Sequence, residues 1–460
     1  MAERIEPIER IERGQSRPGQ RPTIFAASAQ LASSLWLLGL LVVLVFMPAG
    51  RFHVLGPILA LSAALGGLRF LADFRARRLD PLSILILGFA AVAILPVGLG
   101  MLMENAGVRD VAIALVGGPV AWFATSHLAD RWAIERLPSA LAVGTLAVAI
   151  AMFMLLSGVG SSLVRTVAPG AFGEVGAGVA RVSYPGTSSL VATVPFLVTM
   201  GWDSLRPEIT VRNRWLVLSA LAVGLIAALA SGRQGVIGVL VLTPVLIWLV
   251  GRLGFDHLGQ SRTRDNPRRW LAVAVALVCG AVTITVFSLN PSQLVRDLLA
   301  SVGVIESQGN ARVGRSAGVR AAQARSLLSG WSERPVLGHG AGAVSDDFHT
   351  WRGYELGIEL TEAPRPWRAE LSYHLLLFEA GVFGLALYAV AAVVAWRKLC
   401  RRFATLNSAT ARMIVRASVV ASLALAISTA ANPLARTIGL QWSLMLPVIA
   451  LAGWSRELDF

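Results

Sequence analysis

The sequence predicts an all-α, polytopic membrane protein with about 12 transmembrane helices and one large loop. Of its 460 residues, 55% are hydrophobic and only 15% are charged, whereas soluble domains carry about 25% charged residues. Apolar runs of roughly 17–25 residues, each long enough to cross a bilayer, recur along the whole chain. The net charge of +14 comes from basic residues between these runs. That distribution indicates membrane topology and not nucleic-acid binding.

The predicted spans fall into two groups separated by the large loop. We expect a cytoplasmic tail at 1–22, nine spans within 23–288, a periplasmic loop at 289–369, three spans within 370–453 and a cytoplasmic end at 454–460. The twelve expected spans are 24–47, 54–71, 81–103, 111–128, 137–156, 188–202, 215–230, 235–250, 270–287, 371–396, 414–430 and 438–453.

Lysine and arginine are distributed unevenly between the two sets of loops. Loops on the side of the termini hold about 24 of them, and the short loops on the other side hold about six. Positive charge is retained on the cytoplasmic side of a membrane. We therefore expect both termini in the cytoplasm, the inner membrane of a bacterial cell as the location, and the large loop on the periplasmic face.

Charges within the large loop are sorted by sign. Residues 311–334 carry five arginines, among them Arg315 and Arg320, and residues 346–362 carry five acids. A basic cluster at a membrane surface suits a phosphate-rich ligand, because guanidinium binds phosphate as a bidentate fork. The alternative is that the two clusters pair with each other and only hold the loop over the membrane. Between them, the Gly-rich turn 335–342, which contains His339, could turn its backbone N–H groups toward an anion.

Two arginines stand apart from this loop. Arg233 lies at the tip of an apolar hairpin with almost no loop around it. An arginine at such depth needs a partner or an aqueous cavity, unless it extends to the lipid headgroups. Arg181, within a Gly-rich segment at 157–187, is a weaker candidate of the same kind.

Glu370 directly precedes the apolar run 371–396. A carboxylate there either stabilises the helix N-terminus or acts as a general base toward a hydroxyl group. His374 follows one helical turn later, at i+4, so we expect it to share a helix face with Glu370. The alternative for His374 is a hydrogen-bonded position in the helical core.

Several of these segments together resemble the O-antigen ligase and O-antigen polymerase superfamily. Arg233 and Ile237 match its Arg-x3-Leu motif with Ile in the Leu position. Arg320 stands fifteen residues before Pro335, which opens a turn similar to the Pro-hydrophobic-Leu-Gly-x-Gly turn of the family. The spacing from Glu370 to Gly381 and Gly384 is that of its His-[Asn/Ser/Gln]-x9-Gly-x-x-Gly motif, with Glu370 in the place of His. Tyr184-Pro-Gly also looks like a family segment, and the resemblance covers about residues 180–395.

The resemblance implies a GT-C-like helical fold and a metal-independent, inverting glycosyltransferase without a cofactor. The donor would be an undecaprenyl-diphosphate-linked glycan. Arg233 and Arg320 would hold the diphosphate, and Glu370 would accept the proton of the attacking hydroxyl. Further substrate contacts would come from Arg181, Arg315, His339 and His374.

Three functions remain open at this point. A polymerase would join lipid-linked repeats, and a ligase would move the glycan to lipid A-core or another acceptor. A transporter or flippase is the alternative of another class. Expected partners are the lipid-linked glycan, its acceptor, membrane lipids and a chain-length regulator, and no nucleic acid.

Overall fold

A computed structural model describes residues 24–48, 52–75, 82–168, 171–176, 179–204, 213–231, 233–255, 323–345, 369–430, 432 and 434–455. This part of the chain is almost entirely helical. Nine of its helices are long and apolar enough to cross a membrane. The expectation of an all-α polytopic membrane protein is thereby confirmed. The total of twelve spans, the large loop and the domain boundaries stay predictions.

The helices follow the apolar runs of the sequence closely. Eleven of the twelve expected spans coincide with helices, and the run 270–287 lies outside the described residues. The helices are α1 Ile24–Phe46, α2 Phe52–Arg75, α3 Ile84–Leu102, α4 Val108–Ala112, α5 Gly118–Ser126, α6 Arg131–Ser157, α7 Ser161–Val167, α8 Leu190–Ser204, α9 Arg214–Ala230, α10 Gln234–Val250, α11 at 323–333, α12 Ser372–Ala404, α13 Ala409–Ser428 and α14 Gln441–Ser455. A hairpin of β1 Phe172–Gly176 and β2 Val179–Ser183 precedes α8.

Helix α8 lies at the centre of the bundle. It has only 15 residues, and it packs against α6, α9, α10 and α13. Its Asp203 is fully buried and accepts a hydrogen bond from Arg416 Nη1 of α13 at 3.2 Å. Arg416 Nη2 donates to the carbonyl of Ile247 at the same distance. A buried charge of this kind requires a partner, and the pair ties three helices together.

The loops that we assigned to the outer face meet at one end of the bundle. Tyr184 Oη donates to the carbonyl of Phe46 at 2.5 Å, and Asn105 Nδ2 donates to the carbonyl of His339 at 2.9 Å. A Cβ on Gly439 would lie 2.1 Å from the Pro48 carbonyl oxygen. We call this end the site end, and its described segments are 46–48, 100–107, 184–189, 231 and 233, 335–342, 369–372 and 434–440.

The loops that we assigned to the cytoplasm meet at the opposite end. His127 Nδ1 lies 3.4 Å from Asp73 Oδ2, and Arg402 Nε donates to Ser455 Oγ at 3.1 Å. The described loops thus alternate between the two ends as the apolar runs require. The assignment of the site end to the periplasm remains a prediction from the charge distribution.

Helix α12 differs from the uninterrupted helix that we expected at 371–396. It runs from Ser372 to Ala404 and is broken at Gly381, where φ is +63° and ψ is −173°. A Cβ at Gly381 would lie 2.2 Å from the Val336 carbonyl oxygen, so this conformation and this contact both require glycine. The part after the break, 382–404, rises about 34 Å at 1.5 Å per residue. This part by itself is long enough to cross the hydrocarbon core. Residues 372–380 therefore lie at the site end.

Candidate functional site

The Gly-rich turn 335–342 fills the break in α12. The N–H groups of His339 and Gly340 each donate at 2.9 Å, to the carbonyls of Phe378 and Glu379 respectively. After the break, Val382 N–H donates to the Pro335 carbonyl at 2.9 Å. A helix break frees backbone groups that need partners in a membrane. The turn supplies them, which makes it part of α12's own hydrogen bonding.

The other side of the turn packs against the end of α3. Ala341 N–H donates to the Pro96 carbonyl at 2.7 Å, and Asn105 Nδ2 donates to the Ala341 carbonyl at 3.2 Å. Gly340 has a φ of +79°, and a Cβ on it would lie 2.5 Å from the Gly100 nitrogen. The glycines of this turn therefore permit a close backbone approach between three segments.

Glu379 is the carboxylate around which the turn closes. The residue is fully buried, and its Oε1 accepts from Gly342 N–H at 2.9 Å. Arg436 Nη1 donates to the same oxygen at 3.2 Å, and Arg436 Nη2 forms a closer contact with Oε2. We expected the backbone N–H groups of the turn to face an anion. One of them, that of Gly342, donates to the carboxylate of Glu379, which belongs to the protein itself. This bidentate ion pair joins α12, the turn and the segment between α13 and α14.

An apolar groove leads away from this ion pair. It is a cavity of about 490 Å³ between α3, α12, α13 and α14. Its walls are almost wholly aliphatic and aromatic from Leu376 to Leu399 of α12. The polar lining residues near the site end include Ser372, Tyr388 and Arg436. Among the described residues that line the groove, Arg436 is the one that carries a charge.

Glu370 lies two residues before the groove residue Ser372. It is half-buried, and its backbone N–H donates to Gln323 Oε1 of α11 at 3.0 Å. The expectation that Glu370 and His374 share one helix face is wrong, because α12 begins at Ser372 and Leu371 has non-helical angles of φ −83° and ψ 84°. His374 lies in the first turn of α12 and is half-buried. Their catalytic and binding roles stay predictions.

Arg233 is half-buried at the start of α10 and has a protein partner. Its Nη1 donates to Ser188 Oγ at 2.8 Å. Asn432 lies against the start of both α10 and α12. A Cβ on Gly235 of α10 would lie 3.0 Å from Asn432 Nδ2. The Asn432 carbonyl accepts a hydrogen bond from Ser372 Oγ of α12 at 3.2 Å. The structure therefore brings Arg233 and the start of α12 to the same polar region of the site end.

The remaining predicted residues are placed differently. His339 Nε2 donates to the Gly330 carbonyl at 2.7 Å, and its ring stacks on Phe378 with the centroids 4.6 Å apart. Arg181 lies in β2, in register with Glu174 of β1. Arg315 and Arg320 lie outside the described residues. None of these observations tests a substrate-binding role.

Glu379 was not among the predicted site residues, and Arg436 was counted only as one of about six basic residues in the short loops of the outer face. One signal was present, since a lone acid eight residues into an apolar run requires a partner. The sequence could not identify that partner, because 57 positions separate the two residues.

No family model, curated protein or solved structure matches this chain in the comparisons with known proteins. The described residues define the class as a polytopic α-helical membrane protein. Its distinguishing features are a broken helix at one end of the bundle and an apolar groove that begins beside the break.

Proposed function

We propose that this protein is a membrane glycosyltransferase that transfers or polymerises a glycan from an undecaprenyl-diphosphate-linked donor. The observation that supports it best is the groove, whose long apolar wall leads to a polar end beside the segment that carries Glu370. A lipid-linked sugar has the same division, with a hydrocarbon chain at one end and a polar head at the other. The charge distribution favours the periplasmic face of a bacterial inner membrane for this reaction.

The proposed reaction is a single displacement. A hydroxyl oxygen of the acceptor attacks the anomeric carbon of the donor sugar, and the bond from that carbon to the diphosphate oxygen breaks. Undecaprenyl diphosphate leaves with the electron pair, and Glu370 takes the hydroxyl proton. Arg233 and Arg320 stabilise the negative charge of the leaving diphosphate.

The position of Arg233 supports its part in this scheme. Its hydrogen bond to Ser188 Oγ holds the guanidinium at the site end. The starts of α10 and α12 both lie against Asn432. A diphosphate-binding group and a base must lie at one site, and these contacts bring their segments together.

A polymerase and a ligase share this chemistry and differ in the acceptor. In the first, the acceptor is the end of another lipid-linked repeat, and a chain-length regulator is a candidate partner. In the second, it is lipid A-core or another glycan. Both readings follow from the resemblance of Arg233, Pro335–Gly342 and Glu370 to the superfamily motifs.

One observation favours a transporter as the second candidate. Helix α12 is discontinuous and has a carboxylate next to the break, and broken helices often form the substrate sites of transporters. Against this, both oxygens of Glu379 accept hydrogen bonds within the protein. The break also lies near one end of the bundle and not at its middle.

The experiment that tests the proposal uses the purified protein with undecaprenyl-diphosphate-linked repeat units as the only substrate. A ladder of longer lipid-linked glycans on a gel identifies a polymerase. Product that forms only when lipid A-core is added identifies a ligase. If neither reaction yields product and lipid-linked glycan crosses proteoliposome membranes instead, the transporter replaces the enzyme.

A further inference from the structure

The groove contains a cation whose role the proposed reaction leaves open. Arg436 lines the groove at its polar end, and its side chain is 13% exposed. The other described lining residues are uncharged and mostly apolar. A charged group beside apolar walls at the end of a bundle suits an amphipathic ligand with an anionic head.

The guanidinium of Arg436 is held in a fixed orientation. Two of its nitrogens bind the two oxygens of Glu379, and Glu379 is itself fixed by Gly342 N–H. Arginine has five N–H donors in a planar fork, and this pair engages one from each terminal nitrogen. An orientation set by a carboxylate on one side prepares the group to bind a second acceptor without a loss of side-chain freedom.

A second observation at the same place also indicates a ligand. Tyr388 lines the groove near Arg436, and its buried hydroxyl has no hydrogen-bond partner among the described residues. Buried polar groups in proteins are normally paired. A phosphate oxygen at this position would accept from the Tyr388 hydroxyl as well as from Arg436.

We propose that Arg436, oriented by Glu379, binds the phosphate of a lipid whose hydrocarbon chain occupies this groove. The ligand class is a phosphorylated prenyl lipid, and this choice rests on the proposed function. The groove follows α12 from Ser372 to Leu399, which is the direction of a lipid chain that enters the membrane from the site end. Arg436 is thereby a binding residue separate from Arg233, and Glu379 is its positioning residue.

The test measures binding and not glycan transfer. Native mass spectrometry of the detergent-purified full chain would compare undecaprenyl phosphate, undecaprenol and inorganic pyrophosphate. We expect the phosphorylated lipid to bind at least about tenfold more tightly than the alcohol, since a hydrogen bond to a charged group contributes that much. Pyrophosphate alone should compete poorly, because it lacks the chain that fills the groove.

Two sets of variants test separately how the phosphate head and the hydrocarbon chain of the lipid contribute to binding. The double variant Glu379→Gln with Arg436→Met removes both charges together and so leaves no buried charge unpaired. It should lose the preference for phosphate and retain the binding of undecaprenol. Ala392→Trp fills the groove and should weaken both lipids, whereas Ala386→Trp, on the same helix but outside the groove lining, should change neither.

Three results would overturn the proposal: an unchanged phosphate preference in the double variant, equal binding of the two lipids by the wild type, or full competition by pyrophosphate. The outcome is independent of the enzyme assay. A phosphate preference that depends on Arg436, found together with no transfer product, would support the site and reject the glycosyltransferase. Glycan transfer by a protein whose lipid binding does not depend on Arg436 would support the glycosyltransferase and reject this phosphate site.

Discussion

Glu379 and Arg436 lie 57 residues apart in the sequence and form a bidentate ion pair where α12 breaks, with Glu379 buried and Arg436 half-buried. The pair connects three segments that no local pattern joins. Arg436 also lines the apolar groove. The ion pair that stabilises the break therefore also holds a charged group at the polar end of the groove. The stability of this end and the orientation of Arg436 in the groove therefore depend on one carboxylate.

Removing one partner of this pair should destabilise the protein more than removing both. Glu379→Gln leaves the half-buried Arg436 without its counter-charge, and the loss should stay below the roughly 3–5 kcal/mol that removing one member of a fully buried pair costs. The double variant Glu379→Gln with Arg436→Met should recover part of that loss. Thermal unfolding in detergent measures both, and the exposed carboxylate variant Glu104→Gln serves as the control. Equal destabilisation by the single and double variants would show that the pairing contributes little.

Gly381→Ala should disrupt the break in α12. The substitution forces a φ of +63° on a residue with a Cβ and places that Cβ 2.2 Å from the Val336 carbonyl oxygen. Gly98→Ala in α3 is the matched control, because its Cβ would meet nothing within 4 Å. In a helix interior alanine is favoured over glycine by roughly 0.5–1 kcal/mol. Melting temperatures should therefore fall for Gly381→Ala and stay level or rise for Gly98→Ala, and the idea fails if both change alike.

Arg233→Ala should abolish glycan transfer while the protein still inserts and is expressed. The change removes the group that we propose stabilises the leaving diphosphate, and leaves Ser188 free to bind water. Arg109→Ala, an exposed arginine at the same end of the bundle, is the control and should keep full activity. A normal product ladder from Arg233→Ala would remove this residue from the mechanism.

Glu370→Gln should reduce transfer far more than His374→Ala does. Glutamine keeps the size of the side chain and cannot accept a proton as a base. A loss of about 10²–10⁴-fold in kcat is typical for a missing general base. The two variants are compared by initial rates with one lipid-linked donor. The opposite order would assign the base to His374.

Stability at alkaline pH should depend on Tyr184. Burial raises the pKa of its hydroxyl well above the ordinary value, so the folded state holds the proton more tightly than the unfolded state does. The resulting stability is present below the unfolded pKa of about 10 and is lost as pH rises above it. Tyr184→Phe removes this ionisation together with the hydrogen bond to Phe46. Unfolding curves from pH 8 to 11 should show a smaller alkaline loss for the variant; parallel curves would contradict this.

Much of the helical structure could be predicted because its causes are local. The length of an apolar run determines whether it can cross a membrane, so α1 and α3 begin and end within a few residues of their expected limits. Two expectations about α12 were less accurate. The break at Gly381 and the position of Glu370 outside the helix that carries His374 depend on contacts with 335–342 and α11 that the run itself does not contain.

Of the candidate site, the sequence could supply the members but not their arrangement. Arg233 and Glu370 were recognisable as charges at the ends of apolar runs. The link between their segments through Asn432 depends on the packing of α10, α12 and α13. Glu379 stood out as a lone acid within an apolar run, but Arg436 resembled the other basic loop residues, and only the fold shows that the two pair.

The sequence by itself determined the class of this protein, since hydrophobic length and charge distribution act on each segment separately. The tertiary structure decided where a helix breaks, which carboxylate supports the break, and where an apolar groove opens. These features arise from groups far apart in the chain, and a buried charge or a freed backbone group takes the partner that packing brings to it. For the same reason two glycines, Gly98 and Gly381, look alike in the sequence and have different roles in the fold.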